Sequence, residues 1–402
     1  MKVLVADKFE SSGLEALEGL GVDVSYEPAT SPEGLGGRLR EIGAEVLIVR
    51  STKVQAEAIA DTKLGLIVRA GAGTNTIDVA AASDLGIMVT NCPGKNAQAV
   101  AELAFGLILA CDRRLPDNVA ELRAGHWNKG EFSKARGLYG RTLGLVGMGK
   151  ISQEMTVCAR AFGMKVATHS RWMTDAVASA LDLAVAESAV ELAALCDVVS
   201  VHVALTPETR GLIDEEFFAA LRPGSIFINT SRAEVVDQAA LERAVREGGI
   251  RAGLDVFEDE PSGAMGAYEG SLRTATGVYA THHIGASTDQ AQEAVAAETV
   301  RLVKEFKNTG LVPNLVNVKR AEVATHLLVI RHVDRVGVLA GVLSKLKEES
   351  ISVQEMENIV LGGAKAAIAQ IALDKEPSPA LLLSIKMDES VFGASVLPIE
   401  RA

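Results

Sequence analysis

Three ionisable residues of different types each stand just beyond a short apolar, β-rich run: Arg232 after "IFINT", Glu260 after "GLDVF" and His283 after "VYATH". Runs of this kind pack as parallel strands, and open parallel sheets bind ligands at their carboxyl ends. An arginine, a glutamate and a histidine at one sheet edge suit the interconversion of a carbonyl and an alcohol. A guanidinium fork grips a carboxylate and polarises the adjacent ketone. An imidazole gives or takes the hydroxyl proton near neutral pH. A carboxylate beside it favours the imidazolium and fixes its orientation. Taken singly, each residue has an ordinary alternative: a surface ion pair, a loop glutamate before Pro261, a helix-capping histidine.

Chemistry of this type needs an electron carrier, and "TLGLVGMGKIS" offers a place for one. Gly147-Met148-Gly149-Lys150-Ile151-Ser152 follows an apolar strand and opens a helix. Gly147 supplies a tight turn, and Gly149 lets the backbone approach a pyrophosphate at the helix N-terminus. Ser152 stands where a third glycine is usual, a mild change for so small a side chain. The next strand, "KVATHS", closes on Ser170 and Arg171 in place of the acid that would hold ribose hydroxyls and repel a 2′-phosphate. A planar, permanently charged fork at that point suits phosphate, with His169 and Arg160 adding positive potential. These residues predict a nicotinamide dinucleotide, NAD(P), with NADP(H) preferred. A solvated surface arginine is the alternative for Arg171.

The elements that must position these groups are legible along the chain. "KVLVAD", "VDVSYE", "EVLIVR", "LGLIVRA" and "IMVTN" read as five parallel-type strands, with helices between them at Ser12–Leu20 and Pro32–Ile42. After the apolar helix "AELAFGLILACDRRL", six more strand candidates follow: "TLGLVG", "KVATHS", "VVSVH", "IFINT", "GLDVF" and "VYATH". Six such strands with crossovers form a doubly wound dinucleotide-binding sheet. "ASTDQAQEAVAAETVRLVKEFKNTG" reads as a long helix, with Ser287 and Gln290 at capping-box spacing and Gly310 past its end. Val295, Leu302, Val303 and Phe306 share one face of it. The last 80 or so residues follow a β-α-β-β-α-β order, the split-βαβ, ferredoxin-like α+β pattern, with two of the strands joined through Gly362–Gly363.

Composition narrows the function classes. The 402 residues exceed one ordinary core. Aromatics are only 4% while hydrophobics are 48%, as in an Ala/Val/Leu/Gly-built α/β protein. A net charge of −12 argues against nucleic acid or an anionic membrane as partner. No apolar run reaches the roughly 18–20 residues of a membrane span, and "MKVLVADKFE" lacks the layout of a signal peptide. Cys92, Cys111, Cys158 and Cys196 show no paired spacing and no histidine cluster. Reduced thiols, no metal and a cytoplasmic location are the expectation.

The motifs "NTSRAEVVD", "GLDVFEDEP" and "THHIGAST", in this order after "GLVGMG", resemble those of the D-isomer-specific 2-hydroxyacid dehydrogenases. "IVRSTKV", "VRAGAGTNTID" and "HWNKGEF" extend the resemblance over nearly the whole chain. It implies two doubly wound parallel-sheet domains: a split substrate domain (1–96 and 286–318) and a Rossmann domain (97–285). It also implies a catalytic set of Arg232, Glu260 and His283, with Asp255, His283 and Gly285 beside the nicotinamide. Arg50 and Arg69 would hold a substrate phosphate or carboxylate, near the backbone of Gly71, Gly73 and Thr74. His283 is preferred over His282 because it directly precedes "IGAST". The chain departs from the family at Ala233 (usually Gly), His282 (usually Pro) and Ala204 (usually Pro). The implied substrate is a small anionic 2-hydroxy or 2-keto acid. A phosphorylated acid fits the two extra arginines, and glyoxylate or hydroxypyruvate with NADPH fits Ser170–Arg171. A non-enzymatic dinucleotide-sensing protein on the same scaffold is the reading from another class, opposed by the retained Arg/Glu/His set.

The last domain (322–402) resembles the ACT regulatory module, on "RHVDRVGVL" with His332, Asp334 and Gly337. That resemblance implies an amino-acid effector such as L-serine at His332 and Asp334, and a homodimer or homotetramer. Serine-sensing relatives usually carry Asn where Asp334 stands and Pro where Val336 stands, so a module that only joins subunits fits the same residues.

Overall fold

The structure, a computed structural model, describes residues 1–261, 265–318, 324–363 and 365–399. The boundary expected at residue 322 lies outside the described residues. The chain falls into two compact units, Met1–Asn317 and Val318–Ala402.

The first unit holds two parallel sheets. One has the order β2-β1-β3-β4-β5, from β1 (Lys2–Val5), β2 (Asp23–Tyr26), β3 (Val46–Val49), β4 (Leu66–Arg69) and β5 (Met88–Asn91). Successive side chains along a strand point to opposite faces. Leu4, Leu47, Ile67 and Val89 accordingly fill one core layer, while Val3, Val5, Ile48 and Val68 fill the other. Both faces are covered, which is why these strands read as unbroken apolar runs.

The second sheet contains β6 (Thr142–Val146), β7 (Lys165–His169), β8 (Ala184–Val185), β9 (Val198–Val201), β10 (Ile226–Asn229), β11 (Arg251–Leu254) and β12 (Val278–Ala280). Its order is β12-β11-β10-β9-β6-β7-β8. The six expected strands are present, and β8 is a seventh. It pairs with β7 through two residues and completes the third position of the doubly wound order. Two exposed residues carry no apolar run that sequence alone could reveal.

Two helices fix the relation of the sheets. The buried helix α1 (Ala97–Arg113) lays Ala104 and Ile108 against Leu143, Leu145 and Ile228 of the second sheet. The capped helix α3 (Asp289–Thr309) sends Leu302 and Val303 into the core of the first sheet. Its N-cap is Thr288, whose hydroxyl accepts from Ala291 N at 3.2 Å. The cap therefore falls one residue after Ser287, and with Ala291 at the third helical position it is a single hydroxyl cap and not the expected box. Gly310 ends the helix in the left-handed conformation, φ 73°. The chain thus passes between the sheets twice, through 92–96 and through 281–288.

The second unit is a four-stranded antiparallel sheet of β13 (His326–Val333), β14 (Val353–Val360), β15 (Ala366–Leu373) and β16 (Val391–Pro398), in the order β14-β15-β13-β16. Val338–Glu348 and Pro379–Lys386 are its helices, and Leu328, Ile330, Leu346, Ile371 and Ile385 form its core. This is the split-βαβ topology read from the sequence. Among the described residues, no helix is long and apolar enough to cross a membrane. No group of three or more His, Cys, Asp or Glu among them could hold a metal ion. All four cysteines are free thiols, and three are buried.

Candidate active site

Arg232, Glu260 and His283 stand beyond the carboxyl ends of β10, β11 and β12, three adjacent strands. The Asn229 side chain builds the loop after β10. It accepts from Ser231 N (3.0 Å) and Ser231 Oγ (2.8 Å), and its amide donates to the Arg232 carbonyl (3.0 Å). Arg232 Nη1 donates to the Ser231 carbonyl at 2.7 Å. Its Nη2 reaches the loop after β4, 2.2 Å from where a Cβ on Gly73 would stand. Any side chain at position 73 would have to displace that guanidinium.

Glu260 and His283 are joined: His283 Nδ1 and Glu260 Oε2 lie 2.7 Å apart, and Glu260 Oε1 accepts from Phe257 N at 3.0 Å. Partial burial pushes the Glu260 carboxyl up. The His283 hydrogen bond, the Phe257 N–H and the charges of His283 and Arg232 outweigh this and hold it below the usual carboxylate range. A carboxylate on Nδ1 leaves Nε2 as the nitrogen that can serve a substrate. His282, its neighbour in sequence, shares no such contact. His283 adopts φ 52°, a left-handed conformation that a non-glycine residue holds only when its surroundings impose it. Those surroundings centre on Asp255, which is 1% exposed. Its Oδ1 accepts from Thr281 Oγ1 (2.6 Å) and Ile284 N (2.9 Å), and its Oδ2 from Gly285 N (2.8 Å). Asp255 and Gly285, expected beside a cofactor, thus spend these groups on fastening the histidine loop.

The first sheet contributes cations. Burial pushes the Arg69 guanidinium down to about 10, with the charges of Arg232 and Arg50 adding to the effect. It stays charged at neutral pH, and its buried Nε has no hydrogen-bond partner among the described residues. Arg69 folds against Gly71 (φ 149°), where a Cβ would meet Nη1 at 1.6 Å. Arg50 Nη1 donates to Gln292 Oε1 at 2.8 Å. The Asp7 carboxylate shapes the loop after β3 by accepting from Arg50 N (2.6 Å) and Thr52 N (3.0 Å). Gly71 N donates to the Arg69 carbonyl at 2.8 Å, and the Thr74 carbonyl accepts from Ile77 N at 3.0 Å, closing the loop that carries Gly73. Three guanidinium groups therefore share one region with the histidine–glutamate pair. Gln292 and Asp7 escaped the sequence reading, since each acts on a residue far away along the chain.

The glycine turn fits a dinucleotide. Gly147 has φ 89°, and a Cβ there would meet the His202 carbonyl at 2.7 Å. Gly149 is the N-cap of α2 (Lys150–Ala161), with no side chain capping it and open space around its Cα. The first N–H groups of α2 are thus left to a ligand. Ser152 is buried and donates to the Gly147 carbonyl at 2.8 Å, bracing the turn. Lys150 is exposed with its stem 3.2 Å from a Gly94 Cβ position, and Ile151 is half-buried against the core. Past β7, Ser170 is half-buried and Arg171 exposed. Arg160 and His169 are both turned toward backbone carbonyls. Arg160 Nη2 donates to the carbonyls of Leu181 and Asp182, and His169 Nδ1 faces the Ala186 carbonyl at 3.1 Å.

In the second unit His332 is 2% exposed, with Nδ1 on the Val333 carbonyl (2.8 Å) and Nε2 on Asn358 Oδ1 (3.1 Å). Asp334 is exposed. The two expected effector residues do not converge: one is locked inside and the other faces water.

This chain matches the family "D-isomer specific 2-hydroxyacid dehydrogenase, NAD binding domain" over residues 105–285. It is 37% identical to a D-3-phosphoglycerate dehydrogenase of Methanocaldococcus jannaschii over 79% of this chain and 59% of that protein. Against the enzyme of that name from Mycobacterium tuberculosis it is 36% identical over 100% of this chain and 77% of that protein. It is also 43% identical to a hydroxypyruvate reductase of Thermotoga maritima, over 66% of this chain and 85% of that protein. Among solved structures, an NAD+-bound 3-phosphoglycerate dehydrogenase of Entamoeba histolytica superposes with a TM-score of 0.66 at 28% identity, over 80% of this chain and 99% of that one. The chain belongs to the D-isomer-specific 2-hydroxyacid dehydrogenases, oxidoreductases that use a nicotinamide cofactor. It spans about three-fifths to three-quarters of the length of the two phosphoglycerate dehydrogenases described.

Proposed function

We propose that the protein interconverts D-3-phosphoglycerate and 3-phosphohydroxypyruvate, the activity of a D-3-phosphoglycerate dehydrogenase and the first step of L-serine biosynthesis. The observation that carries this reading is the approach of Arg50 and Arg232 to Arg69, with Arg232 also acting on the Glu260 of the glutamate–histidine pair. One guanidinium serves a carboxylate, and two more suit a substrate with a second anionic end. When bound, the nicotinamide ring takes up or returns the two electrons exchanged at the substrate's C2. Gly147, Gly149, Lys150 and Ile151 hold the pyrophosphate side, and Asp255 and Gly285 bound the nicotinamide side by fixing the loop. Arg232 holds the carboxylate and draws electron density from the C2 oxygen. His283 Nε2 takes the hydroxyl proton in the oxidation and returns it in the reduction, with Glu260 stabilising the imidazolium. The backbone of Gly71, Gly73 and Thr74 faces the carboxylate. In this reading residues 1–96 and 286–318 bind substrate, and 97–285 bind the dinucleotide.

The test is a comparison of NAD(P)H oxidation with 3-phosphohydroxypyruvate, hydroxypyruvate and glyoxylate in parallel. The phosphorylated acid is expected to give the highest kcat/KM. A higher value for either of the others points to the second reading, an NADPH-dependent glyoxylate/hydroxypyruvate reductase. The similarity to the Thermotoga maritima reductase and the Ser170–Arg171 pair favour that reading.

For the cofactor we propose a preference for NADP(H). A charge-assisted bond from Arg171 to a 2′-phosphate contributes on the order of 1.5–3 kcal/mol, roughly a tenfold to hundredfold preference. Arg171→Ala is expected to weaken NADPH binding alone. Ser170→Asp is expected to reverse the preference, through repulsion of the phosphate and bonds to the ribose hydroxyls of NADH. Dissociation constants of both cofactors for the three proteins check this, and an unmodified protein that prefers NADH sinks it. For the second unit we propose an ACT-like module that joins subunits into a homodimer or homotetramer. Asp334 is the remaining exposed contact for an effector such as L-serine.

A further inference from the structure

The turn that follows β7 carries an aromatic side chain that neither the core nor the proposed chemistry uses. Met173 N donates to the Ser170 carbonyl at 2.9 Å, so Arg171 and Trp172 occupy the two central positions of a tight turn. The Trp172 indole is 80% exposed. The Arg171 guanidinium carbon stands over it, 5.1 Å from the ring centre. A guanidinium stacked on an aromatic face keeps its N–H edge available, because stacking uses the plane and hydrogen bonding uses the rim. Among the described residues no carboxylate lies within salt-bridge distance of Arg171. One competitor is Glu208, an exposed carboxylate on the loop after β9 that feels the Arg171 charge.

We infer that Trp172 is a positioning residue for a 2′-phosphate subsite: its indole backs the Arg171 guanidinium and presents the rim donors to the phosphate of the dinucleotide. The inference rests on the NADP(H) reading. Its physical content is entropic as well as electrostatic. A free arginine side chain gives up rotamer freedom when it binds a phosphate, and a guanidinium already stacked gives up less. Trp172 therefore acts through Arg171, and its removal should be felt only by ligands that carry the 2′-phosphate.

The probes are adenosine 2′,5′-bisphosphate and 5′-AMP, which differ only in that phosphate, with binding to the full chain followed by calorimetry. The unmodified protein is expected to prefer the bisphosphate. Trp172→Ala is expected to lose about two- to fivefold of that preference, the weight of a solvent-exposed cation–π contact, with 5′-AMP affinity unchanged. Trp172→Phe is expected to restore most of it. A preference that Trp172→Ala retains in full, or an equal loss for both probes, overturns this inference and leaves the cofactor reading standing. Equal affinity of the unmodified protein for the two probes overturns the cofactor reading and this inference with it.

Discussion

Replacing His283 with alanine is expected to lower turnover by roughly 10²–10⁴-fold, the range for a positioned acid–base group, with dinucleotide affinity little changed. The adjacent His282 offers an internal control, since the two imidazoles share solvent access and differ in their partners. Only His283 meets the Glu260 carboxylate, at 2.7 Å, and that contact orients the ring. His282→Ala is therefore expected to leave turnover near that of the unmodified protein. Steady-state kinetics of the two variants beside cofactor binding decide the matter. A crippled His282→Ala with a nearly silent His283→Ala would show that the neighbouring histidine carries the proton.

The second large effect is expected at Arg232. Its guanidinium is aimed across the cleft at Gly73, so it is the cation of the second sheet that can meet an anion held by Arg50 and Arg69. Arg232→Ala removes a donor aimed at developing charge, a loss of about 10²–10³-fold in kcat. Arg232→Lys keeps the charge but gives up the planar fork, so it should recover only part of the activity. The substrate KM should rise in both variants, while the cofactor dissociation constant stays put. A lysine variant with full activity would show that charge alone suffices there and that the fork is dispensable.

The parts of this molecule that were legible in its sequence share a physical reason. Strands such as "EVLIVR" and "IFINT" are apolar on both faces because both faces are covered, and such runs stand out from any surrounding helix. The Arg/Glu/His set was legible because each lies within three residues of the end of such a run. β8 was not, because two exposed residues gain strand geometry only from pairing with β7. The cap of α3 slid by one residue because Ser287 and Thr288 satisfy the same local preference, and only the entry angle of the chain chooses between them. Gln292 bonds Arg50 across 242 positions, a separation at which no spacing rule operates. The burial of His332 was illegible for the same reason: it meets Asn358 on another strand.

The return crossing of the chain has a mechanical consequence. The Thr281–Thr288 segment is at once a connection between the sheets and the carrier of His283, and Asp255 rivets its first half to β11 through Thr281, Ile284 and Gly285. A rotation of one sheet body against the other is thereby displaced beyond Gly285, into the residues just before α3. His283 is thereby fixed to the sheet that also carries Arg232, while Arg50 and Arg69 belong to the other sheet. In the proposed reading, a substrate anion held by all three arginines would bridge the two sheets and tie them together.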